Sequence, residues 1–410
     1  MKASSGSLKG LDWANLFMAD VKDGVGVYLS VYLLTVRDWR PDQIGLVIAV
    51  PGIVGILVQP PAGALIDRTK YKRLLLIFAS AVIALCCLVI ILAGTFWPVF
   101  LSQAVVGFVQ SVYSPCVASI TLGMVGHAVL SKRIGRNESF NHAGNMLAAI
   151  SAGLIGRFLS YEGIFYFSIF QCFALIAAVL FIKEKDIDHE LARGADATTT
   201  ATTSATGIKE LFCNRNILFF TIAMGLFHLA NAAMLPTVGQ KMGLLDKENS
   251  SLYLSGAIII AQGVMAFVAA YSGNAAENGR KKIMVVAFLL LPVRAILFAF
   301  IANPIVLTAI QLLDGIGAGI FGVVSIIMIA DLSKGTGRFN LLQGVVYSAI
   351  GLAAALSNII AGFVVQHFGY AIGFASLAGL GVIALLFFFF YVPETKTTSE
   401  KTVAGPVAVA

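Results

Sequence analysis

The sequence predicts an all-α transmembrane protein of twelve helices, and three observations carry that expectation. The chain of 410 residues is 58% hydrophobic and only 12% charged, whereas charged residues make up about a quarter of an ordinary soluble domain. Its apolar residues gather into segments of ~20 residues, the length a helix needs to cross a hydrocarbon core. These segments are apolar all round, as in 74–93, and lack the ~10-residue alternation of a membrane β-barrel.

Taken in order, spans are expected near 11–35, 44–66, 74–93, 99–122, 139–159 and 165–182, then near 217–238, 252–272, 283–301, 305–328, 339–366 and 371–392. Pro and Gly punctuate them, as at Pro98 between spans three and four and at Pro304 between nine and ten. Span one continues through Asp20, Lys22 and Asp23 with no small-residue cleavage site, so it reads as a retained helix and not a secretory signal. Of the 28 Lys and Arg, five (Arg37, Arg40, Arg157, Lys241 and Lys247) fall on one side of these spans and two (Lys22 and Arg294) inside them. The remaining 21 share the other side, which the positive-inside rule makes cytoplasmic together with both termini. Topology thus accounts for the net charge of +7, and no nucleic-acid partner is implied. The five cysteines lack metal-ligand spacing and read as small apolar packing residues.

The longest polar stretch, around 183–213, contains a Thr- and Ala-rich run and reads as a flexible linker. It divides the chain into an N-terminal six-helix bundle (1–182) and a C-terminal one (214–396), with a tail at 397–410. The halves repeat each other. Gln103 and Gly107 in span four recur as Gln311 and Gly315 in span ten, and Lys132, Arg133 and Arg136 before span five recur as Lys334 and Arg338 before span eleven.

After span two, Gly63, Asp67, Arg68, Lys72 and Arg73 resemble the loop motif of the major facilitator superfamily, with Tyr71 in place of a usual glycine. The resemblance extends over the whole chain as topology. It implies two pseudo-symmetric bundles around a central cavity, rocking between two open states, and a secondary transporter of a bacterial inner membrane, acting as a monomer. Under it, Gly63, Asp67, Arg68, Lys72, Arg73, Arg136, Glu138, Asn141 and Arg338 form a cytoplasmic gate, where carboxylates meet helix ends and basic side chains. The segment 136–145 places Asn137, Asn141 and Asn145 on one helical face, as an interhelical or vestibule stripe. With its counterpart at 337–344 it resembles bacterial facilitator-type carriers associated with efflux.

Ionisable residues inside spans are the main functional pointers, because a charge near the bilayer centre costs ~3 kcal/mol on insertion scales. Asp20 and Asp23 share one face of span one and are candidate proton-coupling residues, since two close carboxylates do not both ionise cheaply. Pairing with Lys22 or helix capping is the duller alternative. Asp314 and Arg294 are expected to meet near mid-membrane as an ion pair, either structural or switching. His228 is a further coupling candidate or else a core histidine. Lys22, Tyr28, Tyr32, Gln103, Asn231, Arg294, Gln311 and Tyr347 are the candidate cavity residues. No catalytic constellation, metal cluster or phosphate-binding loop is present, so neither an enzyme, a cofactor nor ATP drive is expected. The sequence reads as a proton-coupled carrier exporting a small organic solute. An importer or uncoupled facilitator for an organic acid or metal chelate is the alternative, and a membrane sensor or lipid-moving protein the alternative of another class.

Overall fold

A computed structural model describes residues 3–19, 21, 25–189, 191–193, 214–333 and 339–396, and all regular structure among them is helical. Span one comprises Ser5–Ala19 and Val25–Thr35, span two Pro41–Arg68 and span three Lys72–Ala93. Span four comprises Phe96–Gln110 and Tyr113–Val125, span five is His127–Phe158 and span six Tyr161–Phe181. In the second half, span seven comprises Arg215–Asn231 and Met234–Leu245, and span eight is Ser250–Ala276. Span nine is Arg280–Phe300, and span ten comprises Pro304–Ala309 and Gln311–Ser333. Phe339–Tyr391 contains spans eleven and twelve, which turn at Gly369, whose φ of 81° only glycine adopts without strain.

Nine helices among the described residues are long and apolar enough to cross a membrane, one of them covering spans eleven and twelve together. Span one is represented there only by its shorter apolar part, Gly26–Thr35. Span five is longer than expected and starts at His127, because the polar run through Lys132, Arg133, Arg136 and Asn145 is helical. Phe267, Leu85 and Phe300 are exposed, while Gln103, Gln171, Arg294 and Gln311 are buried. That inversion of the soluble pattern fits lipid as the surrounding solvent.

Each half has the same internal packing. Span one lies on five, two on four, and three on four and six; correspondingly seven lies on eleven, eight on ten, and nine on ten and twelve. The repeated glycines mark two of these contacts. A Cβ on Gly107 would lie 2.5 Å from the Pro51 carbonyl oxygen of span two, and one on Gly315 would lie 2.7 Å from that of Ala261 in span eight. The recurring Gln-to-Gly spacing is therefore partly a close-packing device, which lets backbones approach where lipid offers no hydrophobic drive between helices.

The first part of the expected linker is ordered against the N-terminal half. Short 3₁₀ turns occur at Glu184–Asp186 and Leu191–Arg193, and the Asp188 amide donates to the Gly123 carbonyl at 3.0 Å. Asp186 accepts from the Ser4 hydroxyl, from the Ser4 amide at 3.1 Å and from the Ser7 hydroxyl at 2.6 Å. The flexible-linker expectation is corrected for these residues, because span one supplies hydrogen bonds that their composition alone does not reveal. The Thr- and Ala-rich run lies outside the described residues, as does Cys213.

Asp12 is buried in span one between Arg133 and Arg136 of span five. It accepts from Arg133 Nη2 at 2.7 Å and from Arg136 Nη2 at 2.8 Å. Arg133 is buried while Arg136 is exposed, so only Arg133 depends on Asp12 to offset desolvation. Asp12→Asn is expected to cost about 3 kcal/mol, the range for stranding a buried charge, and Arg136→Gln much less, read as thermal midpoints of purified protein. The Ser4 and Ser7 hydroxyls also push the Asp186 carboxyl down to about 2. Its folded value is the depressed one, so this contact stabilises above the ordinary Asp range and is lost as pH falls from about 4 towards 2. Hydrogen exchange at 183–189 should rise over that window in the wild type and not in Asp186→Asn.

Candidate functional site between the halves

Among the described residues, three helix pairs make the main contacts between the halves: one with seven, two with eleven, and five with eight. At the end away from the linker the contacts are tight and hydrogen-bonded. The Tyr28 and Ser255 hydroxyls lie 2.7 Å apart, Ser251 donates to the Gly153 carbonyl at 3.1 Å, and the Tyr161 and Ser250 hydroxyls also bond. Arg157 donates to Asn249 Oδ1 at 2.8 Å and pairs with Glu248 at 2.8 Å. Glycines allow this closeness: a Cβ on Gly156 would meet Ser251 Cβ at 2.6 Å, and one on Gly362 would meet the Pro41 oxygen at 2.5 Å.

Next to this closure lies a cavity of about 320 Å³, lined by Val27, Tyr28, Asn145, Ala148, Ala149, Leu235, Ile258 and Gln262. Spans one, five, seven and eight supply these residues, and Tyr28, which bonds Ser255 in the closure, is one of them. A second cavity of about 210 Å³ sits within the N-terminal half, where Gln103, Gln110 and Cys87 are its polar or polarisable lining among mainly apolar neighbours.

The ionisable candidates are distributed differently. Arg294 bonds to Asp314 and to Asn231 Oδ1, and its Nη2 lies 3.1 Å from the Met234 sulfur. The anticipated ion pair therefore exists, inside the C-terminal half between spans seven, nine and ten. Asn231 and Arg294, expected at the cavity, are engaged with each other there. His228 packs on Phe321, ring centroids 4.9 Å apart. Gln311 is buried with neither amide atom hydrogen-bonded.

Tyr28 lines the inter-half cavity as expected of a wall residue, but Tyr32 does not. Tyr32 is fully buried, accepts from Arg37 Nε at 2.7 Å and packs on Phe165. Four residues, slightly over one helical turn, carry it away from the cavity onto span six. Gln103 lines the smaller cavity, and Tyr347 is exposed. Asp20, Lys22, Asp23 and Arg338 lie outside the described residues.

Among the gate candidates, Gly63, Asp67 and Arg68 close span two, and their side chains lie outside what the structure describes. Lys72 is fully buried and donates to the Thr69 carbonyl at 2.7 Å. Arg73 pairs with Glu184 at 3.1 Å, while Arg136 is held by Asp12. These two arginines thus make bonds within their own half in this conformation. Glu138 is exposed and accepts from Asn141 at 3.4 Å. The Asn stripe divides: Asn137 donates to Thr121 at 3.0 Å, and Asn145 reaches the cavity. Gln262 was not singled out by sequence, although a carboxamide in the middle of an apolar run (258–264) is the signal that would have found it.

This two-bundle arrangement is matched by comparison with known proteins. The model of the Major Facilitator Superfamily matches residues 13–276 and 255–408. The chain belongs to the major facilitator superfamily. Two proteins described as uncharacterized MFS-type transporters, from the CDC 1551 and H37Rv strains of Mycobacterium tuberculosis, are each 40% identical over 400 residues. Each alignment covers 97% of this chain and 96% of the relative. The crystal structure of a point mutant of the nucleoside transporter NupG superposes with a TM-score of 0.79 at 15% identity, over 94% of this chain and 99% of that one. Unmutated NupG gives 0.73 at 17% identity, over 93% and 97%. The twelve-helix facilitator fold of this membrane transporter is thereby established.

Because Arg294 is almost wholly buried, removing only Asp314 strands a charge, whereas removing both charges does not. Asp314→Asn is therefore expected to lower the thermal midpoint more than the Arg294→Gln/Asp314→Asn double variant. A double-mutant cycle should give a coupling of ~1–3 kcal/mol, and additive losses would dissolve the pair as a unit.

Proposed function

We propose that this superfamily member is a secondary active transporter that moves a small organic solute across a bacterial inner membrane by alternating access, coupled to protons and operating as an exporter. The observation that carries the reading is the inter-half cavity beside a closure made of separable contacts. Glycine and serine surfaces part without stranding a charge, so the halves can rock apart at that end. With the linker end cytoplasmic, as the distribution of Lys and Arg requires, the conformation is closed towards the periplasm. Export is the direction implied by the resemblance of segment 136–145 to efflux-associated carriers.

Proton coupling rests on the carboxylates inside spans: Asp20 and Asp23 by sequence, and Asp314 by its placement on Arg294. Protonating Asp314 would release Arg294 from its charge partner, giving the C-terminal half two discrete arrangements. The organic-acid reading lacks one of its motives, because Arg294 is occupied by Asp314 and Asn231.

A reporter fused after Lys282 should read cytoplasmic and one after Lys247 periplasmic. The Gly52→Cys/Ala355→Cys pair across spans two and eleven, where a Cβ on Gly52 would lie 3.8 Å from that of Ala355, has the separation a disulfide needs; it should bridge in resting membranes, and a formed bridge should arrest transport. In reconstituted vesicles, neutralising the coupling carboxylate among Asp20, Asp23 and Asp314 should abolish proton-driven flux while sparing solute exchange. Full proton-driven transport in all three variants would remove coupling from these residues, and transport through the locked pair would remove alternating access at this closure.

A further inference from the structure

The inter-half cavity also carries information about what it holds. Its described polar lining consists of the Tyr28 hydroxyl and the carboxamides of Asn145 and Gln262, with no ionised side chain among the described lining residues. Tyr28 is already bonded to Ser255. The Gln262 Oε1 is buried without a hydrogen-bond partner. An unmet buried acceptor costs about 1–3 kcal/mol, and in a transporter the natural group to satisfy it is a donor on the solute.

The rest of the wall is apolar: Val27, Leu235 and Ile258 with the alanines of span five. An ionised solute entering here would lose its hydration shell and gain carboxamides in return, which do not offset desolvation of a full charge. An uncharged solute with an N–H or O–H donor on one edge and an apolar face elsewhere matches the described lining residues. The volume of about 320 Å³ corresponds to about ten waters at liquid density, the size of a substituted single ring. Arg294, a buried cation of the C-terminal half, is bonded to Asp314 and Asn231.

We infer that the transported solute is uncharged, of single-ring size, and recognised by donating a hydrogen bond to Gln262 Oε1 while Asn145 reads a second polar edge. This inference rests on the carrier reading above and gives it a substrate class. It selects neutral, amide- or hydroxyl-bearing compounds over organic acids, metal chelates and organic cations.

The test uses the purified full-length chain with charge-matched solutes: nicotinamide against nicotinate, benzamide against benzoate and benzamidine, and a wider set of neutral hydroxylated and amidated single-ring compounds. Neutral members are expected to raise the thermal midpoint at millimolar concentration through mass action, and their ionised counterparts are not. In Gln262→Leu the ligand-free midpoint should be equal or higher, because an unmet polar atom is removed, while apparent affinity falls about tenfold, one lost hydrogen bond. Gln262→Asn, which keeps a carboxamide, should retain part of the binding. Stabilisation led by the anions or cations, no stabilisation by any neutral member, or unaltered binding in Gln262→Leu would each overturn the inference. Counterflow of the stabilising solute in proteoliposomes separates the two claims. Flux of a charged solute leaves the carrier standing and sinks the substrate class, whereas neutral binding without flux keeps the class and sinks the carrier.

Discussion

Lipid accepts and donates no hydrogen bonds, and that single constraint organises the molecule. A polar group buried against lipid goes unmet unless the protein supplies its partner, and helices gain nothing from hiding Leu from an equally apolar solvent. The chain answers in two ways. Small residues bring backbones together, at Gly107 on Pro51, at Gly315 on Ala261 and at Gly156 on Ser251. Polar residues then tie the touching helices, as Asp12 does with Arg133 and as Arg294 does with Asp314 and Asn231. The first kind of contact is cheap to open and the second is costly, so the location of each tells which surfaces are built to move. Charged networks sit mainly within halves, while the closure between halves relies on glycines, serines and tyrosine hydroxyls, with Arg157 at its rim.

The duplication explains a second set of contacts. Three residues beyond the end of span six, Glu184 accepts from Arg73 at the start of span three. Three residues beyond the end of span twelve, Glu394 accepts the Arg280 and Lys281 amides at the start of span nine, at 3.0 and 3.1 Å. A carboxylate at a helix N-terminus meets unsatisfied N–H groups and a favourable dipole. Both halves thus clamp their third helix to their sixth with a carboxylate at the same place, through a guanidinium in the first half and through backbone amides in the second, where Asp331 adds a pairing with Arg280 at 3.2 Å. The clamps stiffen each bundle as a body. Stiff bodies joined mainly by uncharged contacts, with the solvent-facing Arg157–Glu248 pair at the rim, are suited to rigid-body rocking.

The twelve spans were legible in the sequence because a hydrocarbon core imposes a length and a polarity that few other environments demand. The Arg294–Asp314 pair was legible for the same reason, since two opposite charges at matching depths have little choice but to meet. Side-chain direction was not legible at that resolution. Tyr28 and Tyr32 differ by about one turn, yet one touches Ser255 across the halves and the other Arg37 within its own. Asp12 escaped attention because a carboxylate near a helix end looks topogenic until Arg133 is seen beside it. Gln262 escaped for a related reason: it carries no charge, so a search for ionisable residues passes over it, although its buried, unmet Oε1 demands an explanation of the same kind.

That omission bears on how the cavity works. The candidate cavity residues of the sequence lie on spans one, four, seven, nine, ten and eleven, whereas the inter-half cavity draws on one, five, seven and eight. Spans one with seven and five with eight are also pairs that join the halves. Residues that line the cavity and residues that close its far end therefore belong to the same helices, and Tyr28 does both. Under the proposed carrier reading, a solute bound at the Tyr28 hydroxyl would meet the group that holds Ser255, so occupancy and closure would compete for or share one set of hydrogen bonds. Coupling between binding and rocking then needs no long relay through the bundles, because the differential contact that shifts the two-state equilibrium is made at the seam itself.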